Sequence, residues 1–193
     1  MSPATSRAQS APRPRDLDDA TLARKARALR FVLFDVDGVL TDGRVWFTAE
    51  GETIKPFHAH DGLAMKLAQR CDLRIGLLTG RSSEPLFRRA KDLGLEPVIA
   101  GSWDKAKDFA QFLKDFDLEP AEVAYVGDDV PDLPVLRRCG LALAPADASP
   151  EVLEVVHREL HKAGGRGAAR EALELILNAR DQWRPMIEEM FGD

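Results

Sequence analysis

Residues 30–43 read RFVLFDVDGVLTDG, and this stretch decides the fold. Arg30 to Val36 is too continuously apolar to alternate, so it is expected to be a strand buried on both faces, as inside a parallel sheet. Two aspartates, Asp35 and Asp37, and a glycine, Gly38, follow at once. Upstream, from Asp16, a helical period puts Leu17, Leu22, Ala26 and Leu29 on one side. Downstream come a helix from about Asp61, the strand LRIGLLT ending at Thr79, and a helix beyond Ser83. A short strand from Pro97 to Ala100, a helix from about Asp104, the strand EVAYVG, a helix after Pro131 and a strand from Gly140 to Ala144 complete the series. Apolar strands alternating with amphipathic helices predict an α/β fold, a Rossmann-like parallel sheet flanked by helices.

Arg44 to Phe57 breaks the alternation. RVWFT and ETIKPF flank Ala49-Glu50-Gly51, which predicts a β-hairpin inserted after the first strand. Val45, Trp46, Phe47 and Ile54 make it apolar for an exposed hairpin, which suits burial between chains. Near the end, Ala163 to Gly167 (AGGRG) is a glycine-rich loop, and Ala168 to about Asn178 is a helix with Leu173, Ile176 and Leu177 on one side. Trp183, Met186, Ile187, Met190 and Phe191 continue an apolar stripe past Pro185 that reads as core or subunit contact. The expected organisation is a disordered tail over residues 1–16, a single domain over 17–180 and an extension over 181–193. The glycine-rich tail is expected to be separable from the chemistry at Asp35.

Composition narrows the class. The chain has 193 residues, 45% of them apolar and 31% charged, which suits one soluble globular domain with a full core. A net charge of -5 argues against nucleic-acid binding, which usually needs a clustered basic excess. No run of about 18 apolar residues predicts a membrane span. The first fifteen residues are rich in Ser, Ala, Pro and Arg and lack the apolar core of a secretory signal; they fit a disordered tail or a short transit peptide. Cys71 and Cys139 belong to no CxxC pair, so neither a disulfide framework nor a zinc site is expected, and a reducing cytoplasm is the default.

In open α/β sheets, ligands bind beyond the carboxyl ends of the strands. Those ends carry Asp35 and Asp37, then Thr79, then Asp128, Asp129 and Asp132, with Lys105 opening a helix between them. So many carboxylates on one rim repel each other strongly unless a cation sits among them.

The ordered set DVDGVLTDG, a hydroxyl residue, a lysine and GDDVPD resembles the haloacid dehalogenase phosphatases. From about residue 30 to 178 the chain is similar to one capless branch, the 3-deoxy-D-manno-octulosonate 8-phosphate phosphatases, sharing also the hairpin, HxxDG, LLTGRSS, VAYVGDD and GGRGAxRE. The resemblance implies a magnesium-dependent phosphatase for a small phosphorylated sugar acid. Asp35 would be the nucleophile that forms an aspartyl phosphate, and Asp37 the acid that protonates the leaving oxygen and then the base that activates water. Gly38 suits the tight turn that brings backbone N–H groups toward phosphate. Asp35 and Asp128 would ligate Mg²⁺ with the Asp37 carbonyl, Asp132 would hold a metal-bound water or Lys105, and Asp129 would lie close by. Thr79 and Lys105 would bind the phosphoryl oxygens.

The gaps between motifs leave no space for a cap domain: 43 residues separate Asp35 from Thr79, and 25 separate Thr79 from Lys105. An open site discriminates little by itself. The resemblance implies a homotetramer in which hairpins assemble between subunits and the glycine-rich tail, with Arg166, enters a neighbour's site. Arg81, beside Gly80 in the TGR run, would meet the substrate's carboxylate, and His58, Lys66 and Arg89 would face the substrate. The sequence departs from the family at His60 and Lys66, where arginine is typical. An imidazole and an ammonium in place of planar forks alter recognition of a carboxylate or hydroxyl pair. A nine-carbon ulosonate phosphate, or a broader set of sugar phosphates, therefore competes as the substrate. An idle assembly module and a phosphorylation-switched receiver domain are compatible with parts of the same pattern. The assembly module is disfavoured because the nucleophile, base and lysine are all present, the receiver because the paired aspartates follow the first strand.

Overall fold

The structure is a computed structural model, and it describes residues 17–49 and 51–192. The tail expected to be disordered, residues 1–16, lies outside the described residues. The chain runs α1 (Asp19–Ala28), β1 (Phe31–Phe34), the hairpin β2 (Trp46–Thr48) and β3 (Gly51–Ile54), α2 (Ala59–Arg70), β4 (Arg74–Thr79), α3 (Glu84–Leu93), β5 (Val98–Ala100) and α4 (Lys105–Asp115). It continues through β6 (Val123–Val126), α5 (Leu133–Leu136), β7 (Leu141–Ala144), α6 (Pro150–Leu153), β8 (Arg158–Glu159), α7 (Ala168–Ala179) and α8 (Trp183–Phe191).

Six strands form one sheet in the order β5-β4-β1-β6-β7-β8, and every neighbouring pair is parallel. The continuous apolar run in β1 has its explanation here. Val32 and Phe34 face one core with α1, α2, α3 and α7, while Phe31 and Leu33 face a second core with α4 and α5. Both faces are covered, so neither needs polar residues. From β1 the chain first builds outward through β4 to β5, then returns to lay β6, β7 and β8 on the other side. That reversal opens a crevice at the carboxyl ends of β1, β4 and β6.

Local chemistry sets the helix starts. Asp18 caps α1 by accepting the Thr21 N–H at 2.7 Å, and Asp104 caps α4 through the Lys107 N–H at 3.0 Å. The helix expected to begin at Asp16 therefore begins at Asp19. The helix after Pro131 is one turn long, preceded by a 3₁₀ turn over Val130–Asp132. Sequence reading missed β8, whose two residues, Arg158 and Glu159, carry no apolar pattern.

The glycine-rich tail is not a separable lid. Leu173, Ile176 and Leu177 of α7 are fully buried in the larger core, so removing everything after Ala163 would take away part of that core. Pro185 is tolerated because it stands in the first turn of α8, where its missing N–H has no intrahelical partner to lose. Met186 is buried against Cys71, and the Arg170 guanidinium stacks 4.5 Å from the Trp183 ring. The apolar stripe of α8 thus packs on its own chain, with Phe191 left exposed.

Candidate active site

Asp35 is the first residue beyond β1. Its N–H donates to the Val126 carbonyl at 2.9 Å, which extends the β1–β6 ladder by one bond and points the chain into the crevice. Asp35, Asp128 and Asp132 each bring a carboxylate oxygen to one place, all within 4.8 Å of one another. Burial pushes the Asp35 carboxyl up to about 6, with Asp132 adding repulsion and Lys105 pulling the other way. Asp128 is pushed further, to about 8, by burial and by the charges of Asp35 and Asp132. A cluster that resists ionisation this strongly calls for a cation.

Lys105 supplies one positive charge. Its Nζ lies 3.0 Å from Asp35 Oδ1 and 2.6 Å from Asp132 Oδ1. Burial works against the charge on Lys105, but the two carboxylates more than offset it and hold the ammonium above the usual lysine range. Asp132 spends its other oxygen on the N–H groups of Asp128 and Asp129, at 3.0 and 3.3 Å. It therefore organises the loop and the lysine, and it has no oxygen left over for a metal. Asp128 Oδ1, by contrast, is buried with no hydrogen-bond partner. The available oxygens of Asp35 and Asp128 make a hard donor pair that fits Mg²⁺.

Gly38 is required here. Its φ is +93°, and a Cβ would stand 2.0 Å from Asp128 Oδ2. The loop from Gly38 to Asp42 is braced from behind by the glycine-rich segment of the same chain. The Gly165 N–H donates to the Val39 carbonyl at 3.0 Å, and a Cβ on Gly164 would stand 1.9 Å from the Gly38 carbonyl oxygen. Asp147 holds the segment by accepting the Gly164 N–H at 2.9 Å.

Thr79 ends β4 and is buried, with its carbonyl accepting the Ser102 N–H at 3.0 Å. Gly80 and Arg81 follow on the exposed rim, and Arg81 Nε lies 3.7 Å from Asp37 Oδ2. His58 stands at the start of α2 with its ring 5.0 Å from that of His60. His60 and Lys66 lie on the exposed face of α2, Asp129 and Arg166 are exposed, and Arg89 is half-buried with its guanidinium 5.9 Å from the Phe57 ring. Among the described residues, no hydrogen bond or ion pair joins His60, Lys66 or Arg166 to the carboxylate cluster.

Two residues at the site escaped sequence reasoning. Tyr125, the chain's single tyrosine, is fully buried in β6 and donates to Asp132 Oδ1 at 2.6 Å. A tyrosine inside a strand buried on both faces is itself a signal, because a buried phenol needs a partner. Lys55 sits 2.5 Å from Asp37 Oδ1, and nothing in its local sequence announces that contact. Asp61, the aspartate of the HxxDG motif, has a structural task. Its buried Oδ1 accepts the Arg170 N–H at 2.8 Å and ties α2 to the first turn of α7.

A haloacid dehalogenase-like hydrolase family matches residues 52–140. A 3-deoxy-D-manno-octulosonate 8-phosphate phosphatase of Haemophilus influenzae is 40% identical over 159 residues, 82% of this chain and 88% of that protein. The chain belongs to the 3-deoxy-D-manno-octulosonate 8-phosphate phosphatase family, within the haloacid dehalogenase-like hydrolases. The family phosphatase of Yersinia pestis is 37% identical over 82% of this chain and 85% of that protein. The crystal structure of the Moraxella catarrhalis phosphatase, in complex with magnesium, phosphate and KDO, covers 87% of this chain and 97% of its own, at 34% identity and a TM-score of 0.84. The cobalt-bound Haemophilus influenzae structure covers 81% of this chain and 92% of its own, with 40% identity and a TM-score of 0.79. Family membership accounts for the parallel sheet without a cap domain and identifies the chain as a metal-dependent phosphoric monoester hydrolase.

Proposed function

We propose that this chain hydrolyses 3-deoxy-D-manno-octulosonate 8-phosphate to the free sugar acid and phosphate, a step in making lipopolysaccharide precursors. The observation that carries the reading is the meeting of Asp35 and Asp128, both with raised pKa values, at the switch point of a sheet whose relatives are phosphatases for that substrate.

Asp35 attacks phosphorus, and a P–O bond forms as the bond to the sugar oxygen breaks. Asp37 gives its proton to that leaving oxygen, then takes a proton from the water that cleaves the aspartyl phosphate. Thr79 and Lys105 hold the phosphoryl oxygens, and Tyr125 and Asp132 keep the lysine in place. Asp35, Asp128 and the Asp37 carbonyl would hold Mg²⁺, which when bound neutralises the cluster and the phosphoryl charge. Gly80, Arg81, His58, His60, Lys66 and Arg89 face the substrate in this reading.

The enzyme would work as a homotetramer. Trp46, Phe47 and Ile54 of the hairpin are exposed, which supports burial between subunits, and the exposed Arg166 would reach a neighbour's site. Residues 17–180 would form the catalytic domain and 181–193 an extension packed on it. Two free, buried cysteines suit a cytoplasmic setting. His60 and Lys66 favour one second reading, a nine-carbon ulosonate phosphate as substrate.

The test is phosphate release with magnesium on the eight-carbon and nine-carbon ulosonate phosphates, hexose phosphates and an aryl phosphate. A preference of about 10²-fold in kcat/KM for the eight-carbon acid, about 2.7 kcal/mol, supports the proposal. Preference for the nine-carbon acid moves the assignment to the second reading, and no release from any substrate removes it.

A further inference from the structure

Asp37, unlike Asp35, is set by a residue outside the phosphatase motifs. Its two carboxylate oxygens have different surroundings. Oδ1 is paired with Lys55 Nζ at 2.5 Å, whereas Oδ2 is buried without a hydrogen bond and has Arg81 Nε no nearer than 3.7 Å. The Lys55 side chain is only 4% exposed, which is unusual for a lysine and costly without a partner. Lys55 follows directly on Ile54, the last residue of β3, and Asp37 lies 18 residues earlier. The ion pair therefore ties the chain leaving β3 to the motif loop that follows β1.

We propose that Lys55 is a positioning residue for the acid–base group: it holds Asp37 Oδ1 so that Oδ2 is presented to the leaving oxygen. This rests on the role given to Asp37 under the proposed function. As phosphorus transfers to Asp35, the sugar oxygen departs as a poor, strongly basic leaving group and takes the proton carried on Oδ2. A carboxyl free to rotate would offer either oxygen in many orientations, and proton transfer needs a heavy-atom approach of about 2.6–3.2 Å. The other lysine of the site, Lys105, is committed to Asp35 and Asp132, and Arg81 lies on the Oδ2 side, so the pairing at Oδ1 is made by Lys55. Because Lys55 hangs from the hairpin, the seat of the hairpin and the aim of the acid are mechanically one thing.

The experiment uses the full chain with magnesium and compares kcat/KM on the eight-carbon sugar-acid phosphate and on p-nitrophenyl phosphate, whose leaving group needs no proton. We expect Lys55→Met to lower kcat/KM on the sugar phosphate by about 30-fold or more, mostly in kcat, with the aryl phosphate reduced no more than about threefold. Lys55→Arg should recover most of the loss, and Lys55→Gln serves in place of methionine if that variant does not fold. Equal losses on both substrates would make Lys55 a plain clamp for the hairpin and overturn the proposal. A raised KM with unchanged kcat would make it a substrate anchor and also overturn it, as would no loss at all. Asp37→Asn is the reference for leaving-group bias. Bias there but none in Lys55→Met overturns the proposal alone, while no bias in Asp37→Asn removes the acid role and the proposal with it.

Discussion

The carboxylate rim and the outer face formed by the hairpin and α2 are built on opposite terms. At the rim Asp132 spends both oxygens, Lys105 meets two carboxylates, and Gly38 admits Asp128 where no side chain would fit, while Asp128 Oδ1 and Asp37 Oδ2 are buried with no hydrogen-bond partner. On the outer face Trp46 and Phe47 stand exposed, Phe47 at 69%, and His60 and Lys66 reach into solvent. The rim thus gathers charged groups from distant parts of one chain into mutual contact, whereas the outer face leaves its apolar and basic side chains to solvent.

The largest effect is expected at Asp35. Asp35→Asn should reduce phosphate release by about 10³-fold or more, some 4 kcal/mol, with circular dichroism unchanged. Retained turnover would show that the rim does not hold the nucleophile.

Metal removal sharpens the same side. Asp35 and Asp128 bind protons more tightly folded than unfolded, since their folded values of about 6 and about 8 exceed the ordinary aspartate value of about 3.9. In metal-free protein their contribution to stability is therefore full below about pH 4 and is lost as pH rises through about 6 and then about 8. Melting curves with chelator should fall over that window, and Mg²⁺ should restore the loss increasingly toward pH 8.5. A metal effect independent of pH would contradict the assignment of these two ligands. Chelation should also abolish turnover.

The brace behind the rim should give a smaller effect. Gly164→Ala drives a methyl into the Gly38 carbonyl, so the loop carrying Asp37 and Gly38 must shift. Overpacking of this kind costs about 1–3 kcal/mol, and we expect kcat to drop by about tenfold or more, with KM less changed. Wild-type kinetics in a folded variant would show that the glycine-rich segment is not coupled to the motif loop.

The outer face should respond least in a single chain. Phe47→Ser should change thermal stability of the protomer by less than about 0.5 kcal/mol, yet shift the assembly state seen by light scattering. His60→Arg should alter KM for the sugar acid by a few-fold while leaving kcat close to wild type.

Much of this was legible in the sequence, and for identifiable reasons. The two-sided burial of Phe31 to Phe34, the alternation after it, and aspartates repeating at strand ends are local signals, written in the period of the chain and in residue type. Helix boundaries moved by a few residues because caps such as Asp18 decide them. β8 was missed because two polar residues leave no period to detect.

By itself the sequence determined the fold class and the need for a cation, because strand burial and charge repulsion follow from residue identity; the nucleophile candidate, Asp35, came from the resemblance to the family. Only the tertiary structure decided that α7 is core rather than lid, that Asp132 organises while Asp128 keeps a free oxygen, and that Tyr125 and Lys55 belong to the site. Those are contacts between residues far apart along the chain, and no local pattern specifies which partner a buried charge will find.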